Sequence, residues 1–341
     1  MVTDSDPGGN VRDPFTRARL LARMTGVTCA VVLVAGMATS ADAASGNSDE
    51  KIVVTEQATD RILVLDSDRQ SWQETKVLWS WRPSAANGLG DLVAGWGAPS
   101  EAKLRHRDGK PHLLTVDSLG LAAVVPYPDA VGAYWATSVG TQPNLHSIEL
   151  LPDGNVAIIA SRGNWLRVYT ASQGPRSDSY VEFPLTDGHG VFWDDDARRL
   201  WALGGNELVA LELGGTPAQP ELTEVRRTPL PTPKGHDLQP VASRPDRLWI
   251  TTDSGVYQYS KKKDAFLQDY RGADRISVAG VKSVGDDLRS GQVLTALIQN
   301  KNLCTWCTDT ATLNRRKDDL ILHGAQIYKA RWWVDPSTQS R

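Results

Sequence analysis

The sequence predicts an all-β fold, a six-bladed β-propeller that is closed when the C-terminal strand joins the N-terminal blade. Three observations lead to this prediction. A pattern of short strands recurs, so that His146, His189, His236 and Lys282 follow one another at intervals of 43, 47 and 46 residues. Turn residues separate the strands, and the two ends of the repeated region each carry strands of an incomplete unit. A repeat of this length with about four short strands is typical of a propeller blade.

The repeated unit is read from five segments, whose central copies begin "NLHSIELL", "GHGVFWD" and "GHDLQPV". Each unit has a short strand, a turn, a second strand, a tight turn and usually a further strand. Asp108-Gly109, Asp153-Gly154 and Gly204-Gly205-Asn206 are residues that hairpin turns favour. A β-sandwich would explain the alternating strands but not the constant period, and a helical solenoid would need helical periodicity that the chain lacks.

Ring closure follows from the strands at the two ends. "KIVVTEQATDRILVLD" matches the second and third strands of a blade without a first strand before it, and "AQIYKARWWV" is a strand without partners. If the last strand becomes the innermost strand of the first blade, the ring closes and no sheet edge is left free. Five full segments and this composite blade give six.

The N-terminal 43 residues are predicted to be a secretory signal peptide. A basic segment, "FTRARLLAR", precedes the apolar "VTCAVVLVAGMA" and the small residues "ADA". We therefore expect cleavage near Ala43 and a secreted, extracellular protein. The expected organisation is residues 1–43 as signal, 44–50 as flexible leader, 51–334 as propeller and 335–341 as C-terminal tail.

Composition excludes some functions and leaves others open. The net charge is −3, and the sequence shows no basic face of the kind that nucleic-acid binding needs. No later apolar run is long enough to cross a bilayer, and nothing indicates a state other than a monomer. After the signal, only Cys304 and Cys307 are left, and in an exported protein "CTWC" is predicted to form a local disulfide.

The first strand of each blade lines the central channel, and six of the channel positions are predicted to carry cationic side chains. Asp237 and Glu149 could balance or orient some of them, and Arg331, Tyr328 and Trp96 are possible neighbours. If the six converge, the channel mouth is a basic pocket for a small anion such as an acidic carbohydrate. The predicted ligand-binding residues are Lys103, His146, His189, His236, Lys282, Lys329 and Arg331.

A divalent metal is a second possibility, because His146, His189 and His236 come from three successive blades and three imidazoles suit several transition metals. The nearby lysines oppose this through charge repulsion, so no cofactor is certain. A structural role, in which each histidine ties neighbouring blades together, is the third interpretation. The run Asp194-Asp195-Asp196 is interpreted as a solvated turn.

The chain resembles an uncharacterised family of secreted bacterial proteins, a domain of unknown function with a predicted propeller fold. The residues that carry the resemblance are "HSIELLPDGNVAIIAS", "GHGVFWD", "LWALGGNELVALEL", "GHDLQPV", "DRLWITTDSGVYQY" and "IYKARWW". It is distantly similar to the NHL and gluconolactonase-like six-bladed propellers, although their acidic calcium ligands have no counterpart here. The resemblance implies no activity.

Three functions are therefore open. The chain could bind a small anionic ligand, such as an acidic carbohydrate, at the channel mouth. It could be a lyase or hydrolase that acts on acidic oligosaccharides through a metal or through its histidines and lysines. It could also be a scaffold that binds proteins through its loops. Whether it is an enzyme is not decided by the sequence.

Overall fold

The computed structural model describes residues 50–299 and 304–338. In these residues 24 strands form six sheets of four antiparallel strands each. The predicted signal peptide and nearly all of the predicted leader lie outside the described residues. The sheets are the blades of a six-bladed propeller, as the sequence predicts. We number the blades in chain order.

The first three blades contain eleven strands that follow one another along the chain, and the fourth strand of blade 1 comes from the end of the chain. Blade 1 contains β1 (Lys51–Glu56), β2 (Arg61–Asp66) and β3 (Trp79–Trp81). Blade 2 contains β4 (Pro99–Arg107), β5 (Lys110–Asp117), β6 (Leu121–Pro126) and β7 (Trp135–Ser138). Blade 3 contains β8 (Leu145–Leu150), β9 (Val156–Ala160), β10 (Trp165–Tyr169) and β11 (Tyr180–Pro184).

The last three blades repeat this order, and one strand is left over. Blade 4 contains β12 (Gly190–Asp194), β13 (Arg199–Leu203), β14 (Glu207–Thr216) and β15 (Gln219–Pro229). Blade 5 contains β16 (Gly235–Pro240), β17 (Arg247–Thr252), β18 (Val256–Ser260) and β19 (Ala265–Leu267). Blade 6 contains β20 (Val281–Asp286), β21 (Val293–Leu297), β22 (Thr310–Leu313) and β23 (Asp318–Ile321). The remaining strand is β24 (Ile327–Trp332).

β24 closes the ring, which confirms the prediction from the two chain ends. It pairs antiparallel with β1, with Ile52 opposite Trp332 and Val54 opposite Ala330, and so becomes the innermost strand of blade 1. The end of β24 and the start of β1 are neighbours, since Trp333 N donates to Lys51 O at 2.8 Å. Closure by pairing the first and last strands removes two free sheet edges.

The hairpin turns lie where the sequence places them. Asp108-Gly109 joins β4 to β5 with positive φ at both residues (50° and 73°), the backbone that a tight two-residue turn requires. Asp153-Gly154 lies between β8 and β9, and Gly204-Gly205-Asn206 lies between β13 and β14.

Helical segments occur only in connections of the described chain. They are one turn of α-helix, α1 (Ala273–Ile276), and five 3-10 turns at Arg69–Ser71, Glu74–Lys76, Gly90–Gly95, Ala171–Gln173 and Pro336–Thr338. None of the described helices has the length and apolar character that spanning a membrane requires.

The hydrophobic core lies between the blades. Six clusters of buried apolar side chains each join two adjacent sheets; the cluster between blades 6 and 1, for example, contains Ile52, Leu294 and Trp332. A single blade could not bury both of its faces, so stacking around a common axis satisfies every sheet. The centre of the ring is left to the innermost strands.

Candidate functional site

The central channel is lined by the six innermost strands, β4, β8, β12, β16, β20 and β24. Five of them insert one residue opposite the next strand of the blade. The inserted residues of four strands are Ser100, His146, His236 and Lys282, and in β24 Tyr328 and Lys329 together lie opposite Thr55. A bulge of this kind re-aims a side chain. Because it recurs at the start of successive innermost strands, it gathers these side chains at one end of the channel.

We call the side chains of His146, His189, His236, Lys282 and Tyr328 the histidine mouth. The three imidazoles are in contact although they come from blades 3, 4 and 5. His146 stacks on His189 with ring centroids 4.2 Å apart, and His189 meets His236 edge-on at 5.3 Å. The ring of Tyr328 is tilted beside His146 at 5.8 Å. Each histidine is only 7–8% exposed, so the mouth is narrow.

The hydrogen bonds assign a tautomer to two histidines. The Asn144 amide nitrogen donates to His146 Nε2 at 3.0 Å, so the proton of His146 is on Nδ1, 3.1 Å from the Tyr328 hydroxyl oxygen. Tyr328 therefore accepts from His146 and keeps its own hydrogen for another acceptor. His189 Nδ1 donates to the Asp187 carbonyl at 2.9 Å, which leaves a lone pair on Nε2.

Lys282 is the cation of the histidine mouth. Its Nζ lies 2.9 Å from His236 Nε2, but that nitrogen also lies against Asp253 Oδ1. A ring nitrogen that donates its proton to a carboxylate cannot accept one from an ammonium group. In the part of the chain that the structure describes, no carboxylate oxygen lies within 4.0 Å of Lys282 Nζ. Its N–H groups are therefore available to a ligand.

Burial controls the protonation of this mouth. It lowers the pKa of all three histidines, and for His236 burial and the Lys282 charge lower the pKa to about 3. Burial also lowers the pKa of Lys282, to about 8, although Asp253 opposes the shift. At neutral pH the imidazoles are neutral, and Lys282 carries the positive charge.

Below the histidine mouth, buried ion pairs cross the channel. Arg331 binds Glu101 through Nε (2.5 Å) and Nη2 (2.8 Å), and it binds Asp237 through Nη2 (2.6 Å) and Nη1 (3.1 Å). Lys329 Nζ lies 3.3 Å from Glu101 and 3.4 Å from Asp237. These residues come from blades 1, 2 and 5, so the network joins opposite sides of the ring. We call these four side chains the central network.

A second group of ion pairs adjoins the central network. Lys103 Nζ lies 3.4 Å from Glu149 and donates to the Val191 carbonyl at 2.6 Å. Arg105 forms two hydrogen bonds with the same Glu149 carboxylate, at 2.7 and 2.8 Å. Burial lowers the pKa of Lys103 to about 8, against the effect of Glu149 and Glu101.

Strong charge pairing marks the carboxylates of the central network. Burial alone would raise the pKa of Glu101, but the charges of Arg331, Lys329 and Lys103 hold it well below its usual range. Asp237 is likewise buried, and Arg331 and Lys329 lower its pKa. Both groups are therefore ionised at all ordinary pH values, and every charge has a partner.

The structure separates the seven predicted ligand-binding residues into two sets. His146, His189, His236 and Lys282 meet at the histidine mouth. Lys103, Lys329 and Arg331 lie deeper and bind carboxylates. The prediction that six cations occupy equivalent positions was wrong in register, because the inserted residue of β4 is Ser100 and because Tyr328, not Lys329, lies with the histidines.

The suggestion that Asp237 and Glu149 balance the cations is confirmed by their ion pairs. Glu101 and Asp253 were not found from the sequence. Glu101 stands at the position after the bulge, as Asp237 does, and the register was needed to see this. Trp96 does not join the mouth; it packs edge-on against Trp81, and its Nε1 donates to Asp60 O.

The geometry of the three histidines does not favour the divalent metal that the sequence allows as a possibility. A metal ion lies along the lone pair of each imidazole that binds it, in the plane of the ring, whereas His146 and His189 are stacked face to face. Both nitrogens of His146 are also engaged, one with Asn144 and one with Tyr328. Within residues 50–299 and 304–338, no three His, Cys, Asp or Glu side chains are arranged to hold a metal ion.

The predicted disulfide between Cys304 and Cys307 is formed, with Cα atoms 5.7 Å apart. It holds Trp306, which is 51% exposed and whose Nε1 donates to the Gln57 side chain at 3.0 Å. Gln57 in turn bonds to the Gln326 and Pro99 carbonyls, beside the starts of β24 and β4. Trp306 thus lies on the face of the ring that carries the histidine mouth.

Comparison with protein families finds one family whose model matches residues 19–340, and it is described as a family of unknown function (DUF6528). No protein with curated annotation matches the chain.

Solved structures share the fold at low sequence identity. A protein of unknown function from Bacteroides caccae has a TM-score of 0.55 and 11% identity, and the match covers 84% of this chain and 99% of that one. A catalytically inactive virginiamycin B lyase from Staphylococcus aureus, solved with quinupristin, has a TM-score of 0.48 and 15% identity, covering 73% of this chain and 74% of that one. At 11% identity the likeness to the Bacteroides protein concerns the fold and not the function.

Proposed function

We propose a function for this chain, which belongs to a family of unknown function (DUF6528): it is an exported propeller that binds a small anionic ligand at the histidine mouth. The single observation that supports this most is the state of Lys282. The deeper channel cations Lys103, Lys329 and Arg331 are paired with carboxylates, whereas Lys282 faces neutral imidazoles. Asp253 is near but is not within ion-pair distance, and a half-buried ammonium group without a direct ion pair is costly, so an anionic ligand would offset that cost.

The other groups of the mouth indicate the kind of anion. The hydroxyl hydrogen of Tyr328 can donate to a carboxylate, and the lone pair on His189 Nε2 can accept from a hydroxyl group. A carboxylate that carries neighbouring hydroxyl groups, such as a uronic acid, would use all three partners. The exposed indole of Trp306 supports the same class, because an aromatic face packs well against the apolar face of a sugar ring.

Lys282→Met is expected to weaken the binding of galacturonate about 10- to 100-fold, the loss that corresponds to one charge-assisted hydrogen bond. Methionine keeps the side-chain length and removes only the charge and its donors. The measurement is isothermal titration calorimetry with a panel of uronates, other hydroxy acids and the neutral sugar galactose. Lys263→Met, at an exposed lysine on blade 5, is the matched control and should bind as the parent does.

The result depends on the pattern across the panel. Binding of uronates that is equal in the parent and in Lys282→Met would contradict the proposal, as would equal binding of galactose and galacturonate. Trp306→Ala should weaken the uronates but not a small carboxylate such as acetate, since acetate has no ring to stack. A lower melting temperature of unliganded Lys282→Met is not expected, because the substitution removes an unpaired charge.

Binding is also expected to depend on pH. Lys282 is charged below its pKa of about 8, so the affinity for a uronate should be constant between pH 5 and 7 and should fall about tenfold per unit well above pH 8. The histidines should add no positive charge at neutral or higher pH, because burial lowers their pKa values. Lys282→Met should show a flat profile. Affinity that instead rises steeply as the pH falls through 6 would assign the charge to a histidine and contradict the proposal.

A second candidate function is acid–base catalysis at the same mouth, and one observation favours it. The pKa of Lys282, lowered to about 8, lies near the range in which an amine can take up and release a proton, and the Tyr328 hydroxyl is next to the same histidine cluster. An enzyme of this kind would remove the proton from the carbon next to the uronate carboxylate and break the glycosidic bond on the neighbouring carbon, so that the sugar oxygen leaves with a proton and a double bond forms. Incubation with oligouronides, followed by chromatography for shortened products, separates this candidate from simple binding.

A further inference from the structure

A large cavity lies at the opposite end of the channel from the histidine mouth. It has a volume of about 600 Å³ and is bordered by residues from the ends of innermost strands, among them Arg105, Leu150, Asp194 and Pro240. The central network separates it from the histidine mouth. A cavity of this size is within the range that holds small organic ligands. We call it the acidic cavity.

The lining of the acidic cavity carries more negative than positive groups. Seven carboxylates border it, against Arg105, Arg107, Lys261 and the imidazole of His106. Four of the carboxylates have cationic partners: Glu149 binds Arg105, Asp194 binds Lys261, Asp335 binds His106, and Asp108 lies 3.5 Å from Arg107. These pairs use most of the positive charge of the lining.

Two carboxylates of the lining have no such partner. Asp195 accepts a hydrogen bond from Trp193 Nε1 at 2.8 Å, and Asp153 accepts from the backbone and side chain of Asn155 at 3.0 and 2.9 Å. Among the described residues, neither has a lysine, arginine or histidine nitrogen within 4.0 Å. Burial, together with Glu149 and Asp335, raises the pKa of Asp195, so the lining disfavours an additional negative charge there.

The cavity also offers apolar surface close to these carboxylates. Phe192, Trp193, Val241 and Leu288 border it, and the indole of Trp193 is joined to Asp195 by the hydrogen bond described above. An aromatic ring beside a carboxylate suits a ligand in which a cationic group adjoins an apolar body, since the ring face attracts a cation and the ring also packs against apolar atoms.

We infer that the acidic cavity is a second binding site, for an organic cation of small-molecule size that carries an ammonium or guanidinium group on an apolar or aromatic body. The cationic group lies between Asp195 and Asp153 or against one of them, and the apolar body packs against Trp193 and Phe192. This site is independent of the histidine mouth, because the two sites share no side chain. The mouth attracts an anion, whereas the acidic cavity attracts a cation.

The test compares three ligands of nearly equal shape and different charge: 2-phenylethylamine, 2-phenylethanol and phenylacetate. Binding to the full chain is measured by saturation-transfer NMR and by calorimetry. The amine should bind at least tenfold more tightly than the alcohol, and the anion should not bind at this site. Asp195→Asn should weaken the amine about tenfold, and Asp153→Asn combined with it should weaken the amine further.

Two control variants test the location. Asp269→Asn, at an exposed aspartate in the loop after β19, should leave amine binding unchanged, and so should Lys282→Met. Asp195 is itself exposed, so its substitution should not unfold the protein. Equal binding of amine and alcohol, loss of amine binding in either control variant, or unchanged binding in the double variant would overturn the inference. Displacement of the amine by calcium at micromolar concentration would also overturn it, because the site would then be a metal site.

Discussion

Replacement of Arg331 by methionine is expected to lower the free energy of unfolding by about 3–5 kcal/mol. Arg331 forms four hydrogen bonds with Glu101 and Asp237, and both carboxylates are completely buried. Without the guanidinium group Lys329 is the one ion-pair partner within 4.0 Å that both carboxylates keep among the described residues, at 3.3 and 3.4 Å, and Lys103 acts on Glu101 only from a longer distance. An uncompensated buried carboxylate must either stay charged at high cost or take up a proton, and each alternative destabilises the native state.

Urea denaturation followed by circular dichroism measures this effect. The matched control is Arg176→Met, which removes an exposed ion pair with Asp91 at 3.1 Å and should cost less than about 1 kcal/mol. A quadruple variant in which Arg331, Lys329, Glu101 and Asp237 are all replaced by apolar residues of similar size should be more stable than Arg331→Met alone, because it leaves none of these four buried charges without its partners. A loss below 1 kcal/mol in Arg331→Met would show that the central network does not hold the ring together.

Removal of residues 326–341 is expected to abolish cooperative folding. The truncation deletes β24, so β1 loses one of its two partner strands and blade 1 loses its innermost strand. The carboxylates Glu101 and Asp237 also lose the two cations that bind them directly, Lys329 and Arg331. It also removes Trp332 and Ile327 from the core between blades 6 and 1. The circular dichroism spectrum of the truncated chain should change with urea gradually instead of in one transition.

A circular permutant provides the control. Moving residues 326–338 in front of residue 50 through a short linker makes β24 the first strand of blade 1, and the close approach of Trp333 and Lys51 shows that the two ends can be joined. The permutant should unfold in one transition near the midpoint of the parent. A truncated chain that unfolds as the parent does would contradict ring closure as a source of stability.

The propeller could be predicted from the sequence because the same order of short strands and turn residues recurs in each blade. The turn pairs Asp108-Gly109 and Asp153-Gly154 mark hairpins, and the regular return of "GH" marks the starts of β12 and β16. The unmatched strands at the two ends gave the closure. Patterns of this kind are visible in the sequence because a hairpin forms between residues that are close in the chain.

The site was predicted only in part, for a physical reason. His146, His189 and His236 share the position of the inserted residue or its equivalent, so the repeat brought them together correctly. Lys103 and Lys329 were placed in the same ring because a shift of one to three residues along a strand cannot be seen without the pairing register. The ion pairs of Glu101 link blades far apart in the sequence, and no local pattern records such a contact.

The central network also decides what the channel can do. Its charged side chains meet across the axis and are almost wholly shielded from water, so they plug the hole in the ring. A solute that enters from one face of the disc must leave by that face, and the molecule cannot conduct ions or sugars from one side to the other. A ligand that binds on one face therefore does not reach the other face through the channel, and the two faces can bind different ligands.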